Sequence, residues 1–180
     1  MRQVTVQGRP YWRLETNEIP KELPKLLPNS TPPRWVTEHW TAGPYGVGFS
    51  DYQILIADSY ILVSADPLNW AKHQHTWRRN SQNLGIAYMA MANATERNPG
   101  PCPVTNGMME RMGIVKALLS IRYNLGFNAF VDHAYWAQVD GYPGQRWDNR
   151  FRISPTHTVY SATQSKGKWY LKQLQEGNIK

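Results

Sequence analysis

At 180 residues the chain is long enough for one well-buried core, so a single domain is expected. Its formal charge of +7 favours an anionic partner, yet no basic run is longer than Arg78-Arg79, which argues against the continuous stripe that duplex DNA attracts. Cys102 is the single cysteine, which excludes an intrachain disulfide and a thiolate metal cluster.

Residues 1–33 carry Pro20, Pro24, Pro28, Pro32 and Pro33 and read as an extended arm lying over the domain, with one helical turn around Lys21–Leu27. The apolar run 34–40 is expected as the first core strand, followed by a loop made pliable by Gly43, Gly46 and Gly48. Residues 52–57 and 60–65 then form a hairpin about the Asp58-Ser59 turn. After a polar, irregular stretch over 67–82, residues 83–91 read as a fully buried strand, and 93–103 as a loop.

Met108, Met112, Val115, Leu118, Leu119 and Ile121 recur at helical spacing and predict a core helix over 108–123, with Gly126 ending it. Residues 167–176 suit a last helix or strand. The expected fold is α/β, with a central mixed sheet flanked by helices over 34–180 and the arm before it.

Three separated residues sit in contexts that suit a zinc ligand. His39 closes a strand that opens into a glycine turn, His133 lies in the short apolar stretch F-V-D-H-A (130–134) after the long helix, and Asp148 follows the Tyr142-Pro143-Gly144 turn. Two imidazoles and one carboxylate leave the fourth tetrahedral position open, as catalytic zinc requires. Eight Trp and ten Tyr are many for this length; most are expected in the core, and a surplus of flat amphipathic rings also suits a cleft for sugar or peptide.

Their order carries a resemblance. H-W-T-A (39–42), Tyr52 heading Y-Q-I-L-I, H-T-W-R-R-N-S-Q-N-L-G-I (75–86), His133 after the long helix, and Arg146-Trp147-Asp148 together resemble the zinc-dependent N-acetylmuramoyl-L-alanine amidases of the phage-lysozyme and peptidoglycan-recognition type. The resemblance covers about residues 34–151. It implies zinc held by His39, His133 and Asp148, catalytic roles for Tyr52 and Arg146, and a cleft lined by His75, Trp77 and Asn80. It also implies an amidase-like fold.

The pattern departs in places. Pro143-Gly144 precedes the third-ligand motif instead of following it, which leaves Asp140 and Tyr142 as rival alignments. Arg146 stands where the family has Lys, and Ala87 where one branch carries a catalytic Glu. His157 lies beyond the match and is expected at the surface, whereas Met108, Met109, Met112 and Trp40 are expected in the core.

The implied activity is hydrolysis of the amide between N-acetylmuramic acid and L-alanine, as in a phage endolysin. The alternatives are a muropeptide-recycling amidase of the cytoplasm and a binding module of the same fold with impaired catalysis. The N-terminus has no apolar leader and no stretch approaches membrane-span length, so synthesis in the cytoplasm is expected. The endolysin resemblance implies a host cytoplasm and action on the cell wall, and a monomer is expected. Neither nucleic acid nor membrane insertion is expected.

Overall fold

A computed structural model of the protein describes residues 1–141 and 149–179. Seven strands form one mixed sheet in the order β1-β2-β5-β4-β6-β3-β7, and with four helices the chain is α/β. The strands are β1 (Arg2–Val6), β2 (Arg9–Glu15), β3 (Trp35–Trp40), β4 (Ile54–Ile56), β5 (Tyr60–Ser64), β6 (Asn83–Tyr88) and β7 (Phe130–Asp132). The helices are α1 (Ile19–Leu26), α2 (Asn106–Tyr123), α3 (His133–Val139) and α4 (Val159–Gln175). None is long and apolar enough to cross a membrane.

The N-terminal segment departs from the expected arm. β1 and β2 pair as a hairpin, and β2 pairs antiparallel with β5, so the segment is part of the sheet. The turn is Gln7-Gly8, with φ of 47° and 78°. Two successive positive φ values give the turn whose twist matches paired strands, and glycine accepts the second without strain. α1 then survives Pro20 and Pro24. Pro20 falls in the first turn, where a missing N–H costs nothing. Ile19, Leu23 and Leu27, four residues apart, are fully buried.

Elsewhere the differences are local. The strand expected over 83–91 ends at Tyr88, and that over 52–57 is confined to Ile54–Ile56. The long helix ends on Asn124, left-handed with φ 52°, before Gly126 is reached. Ile121 lies on its outer side, 51% exposed, and is not core. The last helix, α4, starts well before residue 167.

The sheet separates two layers. On one face Val36, Glu38, Ile54, Ile56, Ile61, Val63, Ile86 and Tyr88 point toward α1, α2 and α4. On the other, Leu62, Leu55, Ala87 and His39 stand side by side in one row across β5, β4, β6 and β3. The loops 41–52 and 65–82 and helix α3 lie over this second face. Trp136 of α3 donates its indole N–H to Thr37 Oγ1 at 2.9 Å. Since β4, β6, β3 and β7 are parallel, their carboxyl ends share one rim, where ligands of open α/β sheets bind.

Candidate metal centre

His39 and His133 meet because of strand register. β3 and β7 pair in parallel with Thr37 opposite Val131 and Glu38 opposite Asp132. His39 and His133 follow directly on this last pair, the one still in β3 and the other opening α3. Their ring centroids are 4.5 Å apart, and both residues are buried. His133 begins α3, whose N-cap is Asp132: its Oδ1 accepts the Tyr135 N–H at 2.7 Å.

Two further predicted residues close around His39. The Tyr52 ring lies 5.1 Å from the His39 ring, centroid to centroid, and its backbone carbonyl accepts the Tyr11 hydroxyl at 2.6 Å. His75 Nδ1 is 2.9 Å from His39 Nε2. The His75 ring rests on β6 at Gly85, where a Cβ would lie 2.6 Å from His75 Cγ. Only glycine admits that approach. Burial holds His39 and His75 well below the usual imidazole range; nearby His133 adds to the effect on both, and His39 adds to that on His75.

Asn80 serves the loop backbone. Its Oδ1 accepts the N–H groups of His75 and Thr76 at 2.9 and 2.8 Å. Trp77 is half exposed, with the Arg78 guanidinium 4.2 Å above its ring centre. Together with Gln74, His75, Thr76 and His133 these residues line a concavity of about 370 Å³. A larger one, about 440 Å³, is bounded by Met91, Met109, Phe151 and Val159. It holds no acid–base group at the sheet rim, so chemistry, not size, picks out the smaller.

Arg146, Asp148 and Tyr142 lie outside the described residues. The rival Asp140 is committed elsewhere: Arg79 donates Nε to its Oδ2 at 3.2 Å and Nη2 to its Oδ1 at 2.5 Å. The same guanidinium holds the Asp140 carboxyl below the usual carboxylate range. Among the described residues no group of three or more His, Cys, Asp or Glu side chains is arranged to hold a metal ion.

Two contributors were absent from the sequence reading. Asp132, nearly sealed from solvent, receives Arg150 Nε at 2.8 Å and Nη2 at 3.2 Å. This fork ties the chain just after Asp148 to the residue just before His133. An aspartate before an apolar helical run is an N-cap signal that could have been read. The Asn83 carbonyl, which receives His75 Nε2 at 2.8 Å, leaves no trace in a sequence. Compared with family models, curated proteins and solved structures, the chain matches none.

Proposed function

We propose that the protein is a zinc-dependent peptidoglycan amidase, of the amidase and peptidoglycan-recognition fold type, that hydrolyses the amide joining N-acetylmuramic acid to L-alanine of the stem peptide. The observation that carries this reading is the meeting of the His39 and His133 rings, 4.5 Å apart just past the last β3–β7 pair at the rim of the parallel strands, with Tyr52 beside His39. The donor chemistry fits zinc. Imidazole must be neutral to ligate, and burial keeps His39 so. His39 and His133 would supply two ligands and Asp148 the third. The Arg150–Asp132 fork supports Asp148 by anchoring its neighbouring chain next to His133.

Bound zinc supplies Lewis acidity and can bring the pKa of a water to about 7. The remaining work belongs to the chain. The Tyr52 phenol and Arg146 would donate to the oxygen on which negative charge develops, because a donor fixed in advance needs no reorganisation as the charge forms. Trp77, half exposed at the edge of the 370 Å³ concavity, offers a flat ring to sugar or peptide.

Digestion of purified sacculi tests the reading. New N-terminal alanine without new reducing sugar is expected, lost to a strong chelator and regained with zinc. Reducing ends without new amine, or full activity after verified metal removal, would overturn it. Loss of turbidity in intact sacculi marks a lytic enzyme; cleavage of soluble muropeptide alone marks a recycling one.

A further inference from the structure

The two ring nitrogens of His75 are both engaged inside the protein. We infer that His75 is a positioning residue, fixing His39 in the tautomer that carries its proton on Nε2 and its lone pair on Nδ1. The consequence for metal binding rests on the zinc reading above; the tautomer is a property of the protein without metal.

The chain of reasoning starts at Asn83. A backbone carbonyl can only accept, and it lies 2.8 Å from His75 Nε2, so that nitrogen carries the proton. The ring is buried against Gly85, where an imidazolium would be costly, so it is neutral and its Nδ1 is an acceptor. His39 Nε2 stands 2.9 Å from that Nδ1. Two lone pairs at this separation repel, so His39 Nε2 must carry the proton.

The Thr76 hydroxyl also lies 2.9 Å from His75 Nδ1. It can rotate to share that acceptor or turn away, a freedom the imidazole of His39 lacks. The loop bearing His75 is itself held by Asn80 through two backbone N–H groups. The relay thus runs from a strand carbonyl through His75 to His39, and presents the Nδ1 lone pair for coordination. Partners of this kind fix the orientation and tautomer of ligating histidines, and their loss costs roughly 10–100-fold in metal affinity.

The test uses the full chain with ¹⁵N-labelled histidine, freed of metal, at neutral pH. Imidazole ¹⁵N–¹H correlations of the wild type should show His39 protonated on Nε2. His75→Phe fills the same space without an acceptor and should leave His39 a mixture of tautomers. In competition with a chromophoric chelator its zinc affinity should fall 10–100-fold. His75→Asn, whose amide oxygen can take the place of Nδ1, should recover most of that affinity, which a merely space-filling role would not allow.

An Nδ1-protonated His39 in the wild type would overturn the inference. So would unchanged zinc affinity in a folded His75→Phe. If that variant does not fold, the wild-type tautomer and the His75→Asn affinity still decide. A wild type that takes up no zinc would remove the metal-binding consequence and the zinc reading together, while the tautomer alone would then judge His75.

Discussion

Lys116 of α2 and Glu38 of β3 form an ion pair beneath the sheet, their side chains 1% and 2% exposed. Glu38 also accepts the Tyr88 hydroxyl at 3.0 Å and that of Thr163 at 2.9 Å. Thr163 Oγ1 in turn accepts from Lys116 Nζ at 2.9 Å. Burial pushes the Glu38 carboxyl up and the Lys116 ammonium down, and each charge opposes the shift of the other. The network joins β3, β6, α2 and α4 directly behind His39. Removing one partner strands a buried charge, so Lys116→Met or Glu38→Leu should cost about 3–5 kcal/mol. The double variant Glu38→Leu with Lys116→Met should be more stable than either single one. Urea denaturation midpoints check this, and a double variant that loses the sum of the two would show them uncoupled.

Gly85→Ala should destabilise the protein through His75. The added Cβ would fall 2.6 Å from Cγ of a ring held at both nitrogens, so the ring cannot yield without losing a hydrogen bond. Overpacking of this kind costs about 1–3 kcal/mol. A denaturation midpoint equal to that of the wild type would mean that loop 65–82 gives way freely.

Stability should fall in mild acid. His75 and His73 are both held below the usual imidazole range, chiefly by burial; His73 is hydrogen-bonded to Ser50 and Ser64. In the unfolded chain each titrates at about 6.5. Below that pH the unfolded state binds protons that the native state refuses, so stability drops by about 1.4 kcal/mol per pH unit for each histidine until its folded pKa is reached. Above pH 7 the two contribute no slope. His39 adds to the same trend in metal-free protein. Urea titrations at pH 7.5 and 5.5 measure the difference, and equal stabilities would contradict the burial of these rings.

The two aspartates near the site should separate cleanly in metal content. Asp148→Ala should lose zinc at stoichiometric metal, since two imidazoles alone hold it weakly. Asp140→Ala should keep it, because its carboxylate is held by Arg79 at the end of α3. Atomic absorption after dialysis reads both, and the reverse pattern would reassign the third ligand to Asp140.

Tyr52→Phe should retain zinc and lower kcat by roughly 10²–10³, the usual loss for one donor to a developing oxyanion. Normal turnover with the hydroxyl gone would move that role to another group.

How far the sequence could be read depended on the kind of signal each element carries. β3, the β4–β5 hairpin and α2 announce themselves through apolar runs and spacing. The β1–β2 hairpin is hard to read because its strands carry Arg2, Gln3, Arg9 and Arg13 among few apolar residues, and five prolines follow between residues 20 and 33. α4 was only half visible since its buried stripe is Val159, Thr163 and Gly167, too small and polar to register as a hydrophobic period. At the site, His39 and His133 stand out by local context. The contact between His39 and His75 does not, because it joins a strand to an irregular loop across 36 positions of chain.

The N-terminal hairpin sets a limit on trimming the protein. β2 covers one side of β5 along its length, and Leu14, Ile19, Leu23 and Leu27 from the same segment belong to the main core. A version beginning at the first of the parallel strands would bare a row of unpaired amides and carbonyls beside a greasy scar. Such an edge recruits other chains. Shortening the protein from its start would therefore exchange the folded chain for aggregation.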